Sequence, residues 1–242
     1  MCYRVSIQRS IEEIEEFTER TLVTTESYTP HFHASGFTHP LLPVITCEEP
    51  HILQLSSWGF IPHYARTADA AKKASNMMLN ARMDSLWQKT SFKESATYFR
   101  CLIIVDGFFE YHHWGSKKIP YYITMKSGKP MVMAGIYSRT KVDGVPTFTC
   151  AIVTNSTDQG SVLGRIHNVD PTDPRTPQII HPGLEGEWLS NLPQGPILQE
   201  WAAIVEDEEL NYWPITDSLA KKGFDADRAE VLTPVNYEGL NL

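Results

Sequence analysis

Short segments in which hydrophobic and polar residues alternate, or in which aliphatic residues run together, recur along this 242-residue chain. Residues 3–8 alternate and predict a strand that begins directly after Cys2. Residues 101–105 form an unbroken hydrophobic run, which is typical of a strand buried on both faces. The same signals predict further strands at 43–47, 121–125, 131–137, 147–154, 212–216 and 230–235.

Between these strands lie segments whose apolar residues recur at the three- to four-residue intervals of a helix. Ser10 followed by Glu13 is the signature of a capping box, and the apolar residues after it predict a helix that begins at Ile11. Further helices are predicted at 65–76, 84–89, 92–99, 158–165, 187–192 and 197–206. Residues 29–43 contain Pro, His and Gly and are predicted to be irregular.

Composition and charge narrow the classes of function. At 27.5 kDa and 42% hydrophobic residues, the chain is expected to form one domain. The net charge of −8 is concentrated in residues 183–242, which hold 12 acidic and three basic residues. The rest of the chain is nearly neutral, so composition permits nucleic-acid binding without indicating it.

The cysteines and the hydropathy profile indicate the compartment. The four cysteines, at positions 2, 47, 101 and 150, show no CxxC spacing, so neither a zinc ribbon nor a redox dithiol is expected. No apolar run reaches membrane-spanning length, and no secretory signal precedes the first strand. We therefore expect a cytoplasmic protein with reduced thiols, no membrane partner, no metal and no cofactor.

Cys2 carries the most distinctive chemistry. Removal of Met1 would leave a terminal cysteine with an α-amine and a thiol on adjacent carbons. The amine has a pKa of roughly 7.7–8.0 and is partly neutral near pH 7. Such an amine attacks an aldehyde to give an imine, and the neighbouring sulfur closes a five-membered thiazolidine. The alternative is that a cysteine falls at this position by chance.

Other candidate residues are weaker when taken singly. Trp58 and Phe60, on a Gly/Pro-punctuated turn, suit either nucleobase stacking or core packing. Glu110 follows two phenylalanines, where burial would raise its pKa, although it also fits an outward position on a strand. His167 can transfer a proton near pH 7 or serve a purely structural role. Asn80-Ala81-Arg82 offers an amide and a phosphate-binding guanidinium, or simply the start of a helix.

Taken together and in order, these motifs resemble the SRAP (SOS response-associated peptidase) family of abasic site processing proteins over residues 1–190. The motifs are Met1-Cys2-x-Arg4, Trp58-Gly59-Phe60-Ile61-Pro62, Asn80-Ala81-Arg82, Arg100-Cys101-Leu102, Asp106-Gly107-Phe108-Phe109-Glu110-Tyr111, Ala134-Gly135-Ile136-Tyr137 and Ile166-His167.

The resemblance implies an α+β fold: one SRAP-like domain over residues 1–242, with a curved, barrel-like, mainly antiparallel β-sheet, flanking helices and the acidic segment 191–242 packed on it. It implies a monomeric DNA-repair protein that binds single-stranded DNA at abasic sites and crosslinks to them, with hydrolase or lyase chemistry. The implied catalytic residues are Cys2, Asn80, Glu110 and His167. The implied DNA-binding residues are Arg4, Trp58, Phe60, Arg82 and Arg175.

Two features depart from the family pattern, and two other functions remain open. Tyr3 replaces the usual small residue after the cysteine, and a loop at 168–174 precedes Arg175, so whether Arg175 reaches the site is open. A cysteine-type peptidase acting on its own N-terminus would use Cys2, Glu110 and His167. A non-covalent single-strand binding module would bind with steep salt dependence and would not need Cys2.

Overall fold

The computed structural model describes residues 2–190, 205–221, 223–240 and 242. Its strands are β1 (Arg4–Ile7), β2 (Thr21–Leu22), β3 (His31–Ser35), β4 (Leu41–Thr46), β5 (Ile52–Trp58), β6 (Asn80–Arg82), β7 (Arg100–Val105), β8 (Gly107–Trp114), β9 (Lys117–Met125), β10 (Met131–Val142), β11 (Val145–Ser156), β12 (Arg175–Pro177) and β13 (Leu210–Pro214). Its α-helices are α1 (Ile11–Thr18), α2 (Ala68–Met77), α3 (Lys93–Tyr98), α4 (Val162–Ile166) and α5 (Glu185–Leu189).

Five strands close into a barrel. They pair in the order β11-β10-β7-β4-β5, and β5 returns to pair with β11 in parallel, Cys150 opposite Trp58. β7 is buried along its whole length. Its Ile103 lies in one hydrophobic core, and its neighbour Leu102 lies in a second core on the opposite face. The α+β, barrel-like fold predicted from the resemblance is confirmed.

A second sheet carries the amino terminus. Its order is β13-β9-β8-β1-β3, so β1 lies between β8 and β3. Val5 of β1 is opposite Phe108 of β8, so Cys2, two residues before β1, lies near the strand that bears Glu110. β6 and β12 instead dock on β11, with Asn80 opposite Ile152 and Arg175 opposite Ser156.

Several local predictions are confirmed. α1 has both hydrogen bonds of the capping box between Ser10 and Glu13. At the β10–β11 turn, Asp143 and Gly144 both have positive φ, as a two-residue hairpin turn requires.

Four local predictions are wrong. The predicted helix at 84–89 is instead the end of the 3-10 helix Met83–Ser85 followed by turns. Residues 29–43 are not irregular, because β3 pairs with β1 and β4 begins at Leu41. Asn80 begins a strand rather than a helix. The predicted strand at 230–235 contains the 3-10 helix Ala229–Leu232. Residues 197–204 of the predicted helix at 197–206 lie outside the described residues, as does the whole 191–204 part of the acidic segment.

Candidate functional site

Cys2 and Asn80 form the centre of the site. Cys2 is fully buried at the start of β1, and the Asn80 side chain reaches it from β6. Asn80 Nδ2 donates a hydrogen bond to the Cys2 carbonyl oxygen over 2.7 Å. Asn80 Oδ1 is buried and accepts no hydrogen bond from any residue that the structure describes. An unused acceptor therefore lies beside the residue with the aminothiol chemistry.

The environment of Cys2 keeps its thiol protonated. Burial, together with the nearby negative charge of Glu110, raises the pKa of the thiol to about 12. The Cys2 Sγ–H points at the carbonyl oxygen of Arg4, 3.6 Å away. A thiol in this state is a poor first nucleophile at neutral pH, since the thiolate is the reactive form.

Glu110 is a buried carboxyl group on β8. Side chains two apart on a strand share a face, so Glu110 points with Phe108 towards the main core. Only 8% of the residue is exposed, and this burial raises the pKa of its carboxyl group. Glu110 Oε1 accepts a hydrogen bond from the Tyr111 backbone N–H over 3.0 Å. A carboxyl group shifted towards neutrality is suited to carrying protons.

Arg4 supplies positive charge next to this carboxyl group. Its guanidinium lies 5.4 Å from the centre of the Tyr111 ring, which fixes the side chain by a cation–π contact. The charge of Arg4 lowers the pKa of Glu110 and so partly opposes the effect of burial. Arg4 is half-buried, so part of its surface remains open to an anionic ligand.

His167 caps the carboxyl end of α4 and is held by β12. Its Nδ1 accepts a hydrogen bond from the Arg175 backbone N–H over 3.0 Å. Burial lowers the pKa of His167 to about 4, so the ring is neutral at pH 7. A neutral ring that accepts at Nδ1 carries its proton on Nε2. His167 is therefore a hydrogen-bond donor at Nε2.

Asn168 ties the histidine segment to the strand that bears Glu110. Its Oδ1 accepts from the His113 backbone N–H over 2.7 Å, and its Nδ2 donates to the His113 carbonyl over 2.8 Å. The neighbouring His112 ring contacts the Arg165 carbonyl oxygen at 2.9 Å. These contacts fix the His167 segment relative to β8, three residues from Glu110.

Two arginines and two aspartates form a cluster, here called the Arg–Asp quartet (Arg82, Asp84, Asp173 and Arg175). Arg82 Nη2 lies 2.9 Å from Asp84 Oδ2 and 2.7 Å from Asp173 Oδ2. Arg175 Nη1 lies 3.1 Å from Asp84 and 3.2 Å from Asp173. Ser156 Oγ donates to Asp173 and accepts from Arg175. The loop at 168–174 is thereby fastened to β6 and β11.

The structure corrects three predicted DNA contacts. Trp58 is fully buried and donates its indole N–H to the Leu79 carbonyl over 2.8 Å, and Phe60 is 1% exposed. Neither ring has a face available to a nucleobase, so the core-packing alternative is the one observed. The Arg175 side chain is 3% exposed within the quartet, and its position therefore keeps its guanidinium from backbone phosphates.

Tyr3, the other departure from the family pattern, packs on a neighbouring aromatic side chain. Its ring stacks on Phe37, with ring centroids 5.5 Å apart and planes at 27°. Phe37 itself is 52% exposed. The large side chain after Cys2 therefore extends along the surface beside the site and packs on an exposed aromatic ring.

Sequence reasoning missed Tyr111, Asn168, Asp84 and Asp173. Each was a visible signal: a tyrosine following the candidate glutamate, an asparagine following the candidate histidine, and acidic residues near both arginines. Their roles depend on contacts between segments far apart in the chain, such as Arg82 with Asp173, 91 positions away. Such pairings come from the topology and not from local spacing.

Within the described ranges, no group of three or more His, Cys, Asp or Glu side chains is placed to hold a metal ion. His31 is paired with Asp227, its Nδ1 lying 2.6 Å from Asp227 Oδ2. The described part of the chain also contains no helix long and apolar enough to cross a membrane.

Comparison with known proteins gives consistent matches. A family model described as SOS response associated peptidase (SRAP) matches residues 1–222. The abasic site processing protein YoqW of Bacillus subtilis (strain 168) is 30% identical over 193 residues, covering 78% of this chain and 80% of that protein. The abasic site processing protein YedK of Escherichia coli (strain K12) is 30% identical over 160 residues, covering 65% of this chain and 68% of that protein.

Solved structures share the fold. A protein from Bacteroides thetaiotaomicron superposes with a TM-score of 0.85 at 27% identity, covering 97% of this chain and all of that one. A protein from Bordetella bronchiseptica superposes with a TM-score of 0.74 at 19% identity, over 89% of this chain. Both barrel and second sheet therefore belong to a fold that is found in several bacteria.

Proposed function

The chain belongs to the SOS response associated peptidase (SRAP) family of abasic site processing proteins, and from that premise we propose that it captures abasic sites in single-stranded DNA through Cys2. The product is a thiazolidine that joins Cys2 to the ring-opened sugar. The observation that carries the proposal is the position of Cys2. Its carbonyl oxygen accepts a hydrogen bond from Asn80, and the nearby charge of Glu110 helps to raise the pKa of its thiol.

The reaction begins with the amine. Once Met1 is removed, the Cys2 nitrogen adds to the C1′ aldehyde to give a carbinolamine, which loses one water to form an imine. The thiol, kept protonated by its raised pKa, adds to the imine carbon second, and its proton passes to the nitrogen. The aldehyde and the aminothiol therefore give a thiazolidine and one water. Ring closure removes the imine from which β-elimination would break the strand.

Glu110 is suited to move the protons of this sequence. Burial raises its carboxyl pKa above the ordinary value of a glutamate, and a proton-transfer group gains from a pKa shifted in that direction. In the protonated form it donates to the departing hydroxyl of the carbinolamine. In the ionised form it accepts a proton from the attacking amine.

His167 and Asn80 act on the sugar. The Nε2–H of the neutral His167 is a donor for the sugar ring oxygen, which must gain a proton when the ring opens to the aldehyde. The unused Oδ1 of Asn80 is an acceptor for the Cys2 amine or a sugar hydroxyl. Arg4 and Arg82, both with partly exposed side chains, are the groups available to backbone phosphates.

The test is the intact mass of protein that begins at Cys2, incubated with an abasic oligonucleotide. We expect a heat-stable adduct whose mass is the sum of both partners less one water. Cys2→Ala should abolish it, whereas Cys47→Ala, which removes another free thiol, should not. An adduct of equal yield in Cys2→Ala, or none in the parent, would refute the proposal. Matched duplex and single-stranded substrates report the preference for single strands.

Removal of Met1 by the protein itself is a second candidate, favoured by the closeness of Glu110, whose charge raises the pKa of the Cys2 thiol. The family name points to such peptidase chemistry. If the site performs this step, Glu110→Gln protein made by cell-free translation without an aminopeptidase should retain Met1 while the parent loses it. Equal processing of both proteins would assign the step to another enzyme.

A further inference from the structure

The Arg–Asp quartet contains as many carboxylates as guanidinium groups. Its formal charge is therefore zero, although one of its members, Arg82, is a residue proposed above to meet backbone phosphates. Arg82 Nε and Nη2 both point at carboxylate oxygens, Nε to Asp84 and Nη2 to Asp84 and Asp173. Its Nη1 has no hydrogen-bond partner among the residues that the structure describes.

Charge balance matters because affinity for a DNA backbone depends on net positive charge. Each phosphate neutralised by a protein cation releases counterions, and this term supplies essentially all non-specific binding. A guanidinium that is already matched by a carboxylate attracts a phosphate weakly. The second arginine does not restore the balance, because the Arg175 side chain is 3% exposed and bound by the same two aspartates.

We propose that Asp173 and Asp84 act as specificity-determining residues: they suppress the affinity of this surface for intact single-stranded DNA, so that retention on DNA depends on covalent capture at the lesion. This inference rests on the function proposed above. Undamaged strands offer the same phosphates but no aldehyde, so weak phosphate binding lets the protein leave them quickly. Damaged strands are held by the bond to Cys2 instead.

Asp173 is the member that a phosphate can replace. Its side chain is 32% exposed and that of Arg82 is 40% exposed, and ion pairs at such positions contribute roughly 0–1 kcal/mol. Asp173 also belongs to the loop at 168–174, where this chain departs from the family pattern. Asp84 lies two residues from Arg82 on the same segment and also pairs with it.

The experiment measures the equilibrium affinity for an undamaged single-stranded oligonucleotide at several salt concentrations. We expect Asp173→Asn to raise this affinity about three- to tenfold at low salt. The slope of log affinity against log salt should steepen by about 0.7, the value for one additional phosphate contact on a single strand. On an Arg82→Gln background the same substitution should have no effect, because the guanidinium it releases is absent.

Asp170→Asn is the matched control. Asp170 is an exposed aspartate of the same loop that accepts hydrogen bonds from Thr172 and, among the described residues, pairs with no arginine. Replacing it therefore changes the net charge by the same amount as Asp173→Asn but does not free Arg82. Unchanged or weaker binding by folded Asp173→Asn would overturn the inference, as would an equal gain in Asp170→Asn. If Asp173→Asn does not fold, Asp84→Asn tests the same prediction and keeps the Ser156–Asp173 bond. Crosslinking of abasic DNA by the parent is a separate readout, so failure of the proposed function is distinguishable.

Discussion

Two buried ionisable groups on consecutive strands show how the same physical effect gives different results. Arg100 begins β7 and is fully buried, and Glu110 lies on β8 and is 8% exposed. Burial lowers the pKa of Arg100 and raises the pKa of Glu110, so each is shifted towards its neutral form. The ordinary pKa of arginine is so high that Arg100 stays charged, whereas Glu110 moves towards the range of proton transfer.

The surroundings of Arg100 match that permanent charge. Among the described residues, its guanidinium donates to four backbone carbonyl oxygens, those of Ala96 at 2.7 Å, Thr97 at 2.8 Å, Trp188 at 2.8 Å and Ser190. These oxygens lie at the carboxyl ends of α3 and α5, where the helix dipole is negative. Arg100 therefore joins both helices to the barrel, whereas the raised pKa of Glu110 fits the proton-transfer role proposed for it.

Loss of the Arg100 guanidinium should give the largest effect. Arg100→Met leaves four carbonyl oxygens without their donor, so we expect a loss of about 3–5 kcal/mol in the free energy of unfolding, measured by urea denaturation. Arg139→Met is the control, because Arg139 is 45% exposed and its ion pair with Glu49 contributes below about 1 kcal/mol. Equal losses of unfolding free energy in Arg100→Met and Arg139→Met would show that the buried arginine contributes no more to stability than the exposed one.

His167 extends the comparison to a group that burial keeps neutral. Its pKa is about 4 in the fold and 6.5 as the ordinary value, so the unfolded chain binds the extra proton between these pH values. Stability should therefore fall as the pH drops from 6.5 to 4, by roughly 3 kcal/mol from this group at about 1.4 kcal/mol per unit. Urea denaturation across that range should show a shallower pH dependence in His167→Gln. His33, whose pKa burial also lowers to about 4, contributes in the same window, and His33→Gln removes its share.

Glu110→Gln should separate stability from activity. The fold protonates Glu110 at pH values where the unfolded chain is ionised, so its stabilisation is lost as the pH rises through the raised pKa. We expect the variant to be at least as stable as the parent at pH 7 and to crosslink abasic DNA about 100-fold more slowly. Thermal denaturation and single-turnover gel assays measure the two quantities. A variant that is both less stable and fully active would reverse the assignment of roles.

Asn168 should give the smallest effect, because it acts through position alone. Asn168→Ala removes both bonds to the His113 backbone, and a several-fold loss in the crosslinking rate, about 1 kcal/mol, is expected. Asn168→Asp keeps the acceptor and loses the donor, so it should fall between Ala and the parent. The pH profile of the rate should keep its shape in both variants; a shifted profile would mean that Asn168 takes part in proton transfer.

The residues of the site were accessible from the sequence to different extents. Cys2, Asn80, Glu110 and His167 stand in motifs whose order is informative, and the fold class followed from the same motifs. The burial of side chains could not be predicted from the sequence, since the Trp58-Gly59-Phe60 run fits a surface turn as well as the core that the structure shows. β3 was missed because its His-, Ser- and Ala-containing segment forms a strand only by pairing with β1.

The strand β11 pairs with four others: β10, β5, β6 and β12. The site therefore cannot assemble on the ribosome until residue 177 has been synthesised, although Cys2 emerges first. At roughly 5–20 residues per second, that delay is about ten to thirty-five seconds. During it, a terminal cysteine freed early from Met1 meets the small aldehydes of metabolism with no pocket to exclude them. If Cys2 acts as proposed above, early removal of Met1 would therefore lower the fraction of newly made protein that can still react with an abasic site.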